Sequence, residues 1–277
     1  MKASPKINQD TKWVFLKKGT CSRTLFYILN REFGNPREAE ERAIDPLAGG
    51  IMQHGYQCGQ LWGAAMAVSA EAFRRAEDPN KATDYAIVAC KKIHDSFLKE
   101  AGSPDCEDII EADLTQKYAT PKLLVSGKFF RCFKLADNWA PKAIQAAKQA
   151  LTADYSELQE DCISCASEVV KKLGGSNEQA SMAAGLAGGI GLSGGGCGAL
   201  AAGIWMKSYL HEKEHGKSSY PNPYAENTLK DFLEESDYEF ECKNITGKKF
   251  SSAREHTQFI QNGGCKQLID KLTKMEK

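Results

Sequence analysis

Apolar residues recur along this chain at helical spacing and nowhere alternate convincingly with polar ones. After the turn at Asp78-Pro79-Asn80, the apolar positions Tyr85, Val88, Ile93 and Phe97 predict one helix that stops at Gly102. Before it, the pattern predicts a helix from Trp13 through Cys21 to about Phe33. A second starts at Asn35-Pro36, an N-cap with Pro at the first helical position, and runs to about Gln53. Glu38, Glu40 and Glu41 suit the positive end of that helix. A third, Ala-rich helix opens at Cys58 and reaches about Ala76. A short one starts at Cys106, and Trp139-Ala140-Pro141 opens another. Further on, helices are predicted from Tyr155 through Cys162 and Cys165 to Leu173, and from Ser176-Asn177-Glu178 toward Ile190. Others run from Cys197 to about His215, beyond a Tyr220–Tyr224 loop to about Glu235, over 252–261, and onward from Cys265. Residues 1–12 are polar and read as loose. The expected fold class is all-α.

One stretch is written twice. Leu186 to Gly203 reads LAGGIGLSGGGCGALAAG, and Leu47 to Ala64 reads LAGGIMQHGYQCGQLWGA. The offset is 139 at both the leucines (186 − 47) and the central cysteines (197 − 58). The expectation is two homologous helical-bundle repeats packed with pseudo-twofold symmetry, the first over 13–115 and the second over 151–277. Residues 116–150 would be the joint. Such a chain would act as a monomeric pseudo-dimer, or form a homodimer.

Composition narrows the function classes. The 36 basic and 36 acidic residues balance, so neither nucleic acid nor a membrane surface is an expected partner. No apolar run approaches the roughly 18 residues of a membrane span, and the N-terminus has no signal-peptide core. The cytoplasm is the default location, where disulfides are usually transient. Ten cysteines therefore need another use.

Eight of them pair across the repeat. Cys21 matches Cys165 and Cys58 matches Cys197; Cys90 matches Cys242, because both begin Cys-Lys-x-Ile; and Cys106 matches Cys265. Four thiols per half is the ligand number of an iron–sulfur cluster or a tetrahedral zinc ion. Zinc suits the sets less well, since its structural sites draw on close cysteine pairs. Several of these cysteines sit at predicted helix starts, which favour thiolate. Gly196 and Gly198 flank Cys197 and let backbone approach a bound group. The plainer reading of any one buried Cys is a small hydrophobe, and for Cys132, in FFRCFKL, that reading is preferred. Cys162 forms a CxxC with Cys165 that the first half lacks. His211 and His215 lie in a charged run that reads as a solvated face. A metal-free dithiol, with Cys197 as attacking thiolate, and a non-enzymatic zinc protein both stay open.

On these residues the chain resembles the redox-labelled family named for its pattern C…GCAxxG…C…C. In the second half the resemblance lies in Cys165-Ala166, Gly188-Gly189-Ile190, Gly196-Cys197-Gly198-Ala199 with Gly203, Cys242-x-x-Ile245-Thr246-Gly247, and Gly264-Cys265. The first half is divergent, with Gln60 after Cys58-Gly59 and His94-Asp95 in place of Thr-Gly. A related four-Cys module in split-Soret cytochromes is associated with an iron–sulfur cluster, though this chain has no CxxCH haem motif. The resemblance implies a redox protein, possessing up to two [2Fe–2S] or [4Fe–4S] clusters, one per half, that exchanges electrons with a redox partner protein. The alternatives are a dithiol oxidoreductase or thiol sensor without metal, and a zinc-binding protein.

Overall fold

Glycines cut the predicted helices into shorter ones. The computed structural model describes residues 10–152, 157–216 and 222–274, so Tyr155, Tyr220 and nearly all of the polar N-terminal stretch lie outside the described residues. The first predicted helix is two, α1 (Thr11–Lys18) and α2 (Cys21–Glu32), because Gly19 between them takes φ 84°. Next, α3 (Glu38–Ala43) gives way to a 3-10 turn at Asp45–Leu47, well short of Gln53. The following two helices fall close to where periodicity puts them, α4 (Gly59–Arg75) and α5 (Ala82–Ala101). Then come α6 (Cys106–Ile110), α7 (Ala119–Val125) and α8 (Phe129–Ala150).

Pro141 does not open a helix but sits inside α8. Its cost of about 3 kcal/mol is offset by a stripe of buried side chains on both sides of it, from Leu135 and Trp139 to Ile144 and Ala147. In the second half α9 (Cys165–Lys172) starts at the Ser164 cap, whose side chain accepts from Ser167 N–H, rather than near Tyr155. It is followed by α10 (Asn177–Ala184), α11 (Gly198–His215), α12 (Pro223–Glu235), α13 (Cys242–Thr246), α14 (Ala253–Gln261) and α15 (Lys266–Leu272). The fold is all-α: among the described residues there are no strands, only isolated bridges at Gln57–Asp105 and Gly196–Glu241. No described helix is long and apolar enough to cross a membrane.

The repeated Leu-Ala-Gly-Gly-Ile forms the same unusual turn in both halves. Residues 49–53 all have positive φ, and so do residues 188–192. Each is one turn of left-handed helix, a conformation that costs a non-glycine residue about 1–2 kcal/mol. Its closing hydrogen bonds recur at the same offset, Gly55 N–H to Gly49 O and Gly194 N–H to Gly188 O. Gly50 and Gly189 have no substitute here, since a Cβ would lie 2.3 Å from Tyr56 O in one half and 2.5 Å from Gly195 O in the other. This turn ends α3 and α10 earlier than the periodicity suggests.

Within the first half α2 packs on α4, α4 on α5, and α5 on α8; within the second, α9 packs on α10 and α11, and α11 on α12. The halves also cross. Helix α10 lies on α4, while α3 and the turn after it lie on α11. Ser69 on α4 donates to Ser181 O (2.6 Å) and accepts from Gly185 N–H (2.9 Å). Reciprocally, Trp205 Nε1–H on α11 donates to Glu40 O at 3.1 Å. The rings of Tyr56 and Phe240 stack across the same boundary, 3.8 Å apart and 9° from parallel. Trp62, Trp139 and Trp205 are fully buried in the core this builds.

Candidate functional site: two groups of four cysteines

Helix starts bring the thiols together. In the first half Cys21 is the first residue of α2, Cys58 is the N-cap of α4, Cys106 opens α6, and Cys132 lies in the first turn of α8. All four line one cavity of about 250 Å³. The Gln57–Asp105 bridge sets Cys58 beside Cys106: Cys58 N–H donates to Pro104 O at 2.7 Å and Cys106 N–H to Tyr56 O at 2.8 Å. In the second half Cys165 opens α9, Cys197 caps α11, Cys242 opens α13 and Cys265 caps α15. They line a cavity of only about 10 Å³, together with Thr246, Phe250, His256 and Phe259. Here the Gly196–Glu241 bridge does the same positioning, with Cys197 N–H on Phe240 O at 3.0 Å and Cys242 N–H on Gly195 O at 2.7 Å.

Seven of the eight cysteines matched in the sequence lie in these groups, and Cys90 does not. It is fully buried in α5, where its thiol donates to Ala65 O on α4 at 3.2 Å. Cys132 takes the fourth place. The bridges show that Cys106 corresponds to Cys242, which leaves Cys132 to stand where Cys265 does. The sequence holds a trace of this. Asp105-Cys106-x-x-Ile109 parallels Glu241-Cys242-x-x-Ile245. Paired so, the four offsets are 144, 139, 136 and 133 (165 − 21, 197 − 58, 242 − 106, 265 − 132), whereas Cys90 to Cys242 is 152 (242 − 90).

Cys162 lines neither cavity; its sulfur faces Gln159 O and Glu160 O at 3.7 and 3.8 Å. The bulky group that approaches the glycines before Cys197 is part of the protein. A Cβ on Gly195 or Gly196 would come within 2.8 Å of the buried Gln57 side chain. Gly198 admits backbone, its Cβ position lying 2.0 Å from Leu186 O.

The left-handed turns point at sulfur. Gly49 N–H hydrogen-bonds the Cys21 sulfur, and Gly188 N–H bonds Cys165 in the same way. Cys58 also hydrogen-bonds Cys21, and with these donors around it Cys21 is held below the ordinary thiol value. The same contact pushes Cys58 up, as does its burial. Elsewhere burial dominates: it pushes Cys132 and Cys242 up to about 12 and raises Cys106, Cys165, Cys197 and Cys265. Neighbouring thiolates oppose one another within most of these groups. Burial also pushes His256 down to about 4, and its Nδ1–H meets Ile163 O at 3.1 Å.

Among the described residues, no group of three or more His, Cys, Asp or Glu side chains stands close enough to hold a metal ion. The donor sets still fit a thiophilic centre in number and kind: four sulfurs each, in a largely apolar setting, with backbone N–H groups aimed at one of them. The model of the family described as "Putative redox-active protein (C_GCAxxG_C_C)" matches the chain twice, over residues 20–174 and 160–277. No curated protein and no solved structure matches it.

Proposed function

The chain belongs to the C_GCAxxG_C_C family, and from that premise we propose that it is an electron-transfer protein whose two four-thiol sites each hold an iron–sulfur cluster. The ligands would be Cys21, Cys58, Cys106 and Cys132 in one half, and Cys165, Cys197, Cys242 and Cys265 in the other. The observation that carries this reading is the convergence of each set at helix N-terminal ends. Those ends favour anionic sulfur, while burial and mutual repulsion disfavour thiolates unless a cation joins them. A bound cluster would supply one-electron exchange. The chain's part is to exclude water with apolar walls and to donate N–H groups from Gly49 and Gly188 to sulfur, which tunes a potential. The crossed packing of α10 on α4 and α3 on α11 supports a pseudo-twofold monomer. A cytoplasmic location and a protein redox partner complete the proposal.

Iron and acid-labile sulfide analysis, with a visible spectrum, on protein purified without oxygen tests it. Both should be present in similar amounts, and Cys58→Ser or Cys197→Ser should each remove about half. Cys132→Ser should lower iron as Cys58→Ser does, and Cys90→Ser should leave it unchanged. The reverse order would refute the ligand set. Stoichiometric zinc without iron would make this a metal-binding protein.

A metal-free result would leave a dithiol, a reading favoured by the hydrogen bond between Cys58 and Cys21. The Cys21 thiolate, rather than the deeply buried Cys197, would attack a partner's disulfide. Cys58 would then resolve the mixed disulfide, leaving a Cys21–Cys58 bond and a reduced partner dithiol.

A further inference from the structure

The charges of this chain balance overall but not locally. Helix α1 has Lys12, Lys17 and Lys18 and no acid. Residues 114–136 have Lys117, Lys122, Lys128, Arg131 and Lys134 and no acid. Removing these eight leaves 28 basic residues (36 − 8) and 36 acidic ones, so the rest of the chain has a net charge of −8 (28 − 36). Three of the eight are neutralised: Lys12 by Asp137 at 3.1 Å, Lys18 by Glu41 at 2.7 Å and Arg131 by Glu111 at 2.7 Å. The five remaining lysines form no ion pair with a described residue.

The same two segments hold five of the six large apolar side chains that stand exposed among the described residues. Trp13, Leu16, Tyr118, Val125 and Phe130 are 62–91 % exposed, and Tyr238 is the sixth. The segments meet. Helix α1 runs antiparallel to α8, with the Phe15 and Phe133 rings 4.2 Å apart, one turn along from the Lys12–Asp137 pair. Leu16 and Phe130 therefore fall at the same end of the two helices. Leu123 of α7 is buried in a cluster with Cys106 and Ile110, against which Phe129 and Cys132 pack. Exposed apolar groups rimmed by charge mark contact sites for other molecules. The inner sides of these helices are walls of the first four-thiol site, where Phe15, Leu123 and Phe129 line the cavity with Cys132. The second half has no such face. No helix precedes Cys165 among described residues 157–164, and α15 beside Cys265 has 7 residues where α8 has 22.

We propose that this face docks a negatively charged one-electron carrier protein, which exchanges electrons with the first four-thiol site. Charge selects the occupant. A second copy related by a twofold axis would set the five unpaired lysines against their own images. An acidic partner neutralises them and is steered toward them. An apolar centre with a charged rim also suits the small, short-lived interfaces of electron carriers. One electron passes, and no bond is made or broken. The inference rests on the electron-transfer reading for what is exchanged, but not for the docking itself.

Calorimetric titration of the intact chain, purified without oxygen, with an acidic plant-type [2Fe–2S] ferredoxin tests it. Binding should weaken about tenfold as ionic strength rises from about 0.01 to about 0.15 M, over which the Debye length falls from about 30 to about 8 Å. The exposed pair Lys122→Glu with Lys134→Glu should weaken it about tenfold at low salt. Phe130→Ser should do the same by removing an apolar anchor, and Tyr238→Ser should change nothing. No binding, binding indifferent to salt, or an equal loss in Tyr238→Ser would overturn the proposal. Vesicles of phosphatidylcholine and phosphatidylserine in equal parts are the rival occupant. If they hold the chain through Phe130 while the ferredoxin does not bind, the face is a membrane-surface site and the proposal falls. A dimer in sedimentation that Phe130→Ser dissolves would sink it too. Calorimetry needs no cluster, so iron and sulfide measured on the same samples keep the two readings apart. Docking without iron sinks the cluster alone, and iron without docking sinks only this inference.

Discussion

The Cys90 thiol is caught between three helices. It lies on α5, donates to Ala65 O on α4, and faces the end of α10. A Cβ on Gly185 would sit 2.2 Å from that sulfur and 2.8 Å from Ala86 O. Gly185→Ala should therefore cost about 1–3 kcal/mol of stability, read as a lower unfolding midpoint. Cys90→Ala in the same chain should return part of that loss, because residues in contact do not add independently. An equal cost in both backgrounds would clear the sulfur of blame. This packing also explains what the sequence obscured. Cys-Lys-x-Ile made Cys90 the apparent twin of Cys242, yet the residue before each cysteine (Ala89 and Glu241) does not match. Asp105 before Cys106 does. Cys132 was hidden for another reason: the wall of an apolar cavity and the face of a core carry the same pattern, so FFRCFKL could not be told from plain packing.

Helices were legible from periodicity where a long apolar face ran uninterrupted, as in α4 and α5. They were not legible where glycine turned the chain left-handed, because a hydrophobic pattern does not report the sign of φ. The Leu-Ala-Gly-Gly-Ile repeat could be seen, but not that it bends the backbone so that an N–H reaches the sulfur of Cys21 or Cys165. The crossing of α10 on α4 was equally invisible, since the hydrogen bonds across it come from Ser69, an ordinary polar residue on an Ala-rich helix. Ser69→Ala would take a donor from Ser181 O and leave the buried Gly185 N–H with Ala183 O alone. Thermal or urea unfolding should show a loss of about 1–3 kcal/mol, and amide exchange at Gly185 should speed up. An unchanged midpoint would mean that other groups take over both bonds.

Across the whole molecule, the first half is tied to the segment before α9 through Asp84, whose Oδ2 accepts from Gln159 N–H at 2.8 Å. Burial raises the Asp84 carboxyl above its ordinary value, and this hydrogen bond only partly opposes that. The folded chain therefore holds the proton more tightly than the unfolded one. The stability this group contributes is present in acid and is lost as pH rises through the folded value. Asp84→Asn keeps an acceptor and removes the charge, so its melting midpoint should exceed that of the wild type at neutral pH, and the gap should close toward acid. A less stable variant at neutral pH would show that the charge itself is used. The crossed helices also impose an order in time. α4 is complete at Arg75, but α10, which covers it, is complete only at Ala184. A ribosome that has completed α4 has thus released a central helix still bare on one side, and it stays so until 109 further residues (184 − 75) have emerged. The duplicated chain exchanges the chance encounter of two copies for a wait of fixed length, during which the exposed face is the point of greatest risk.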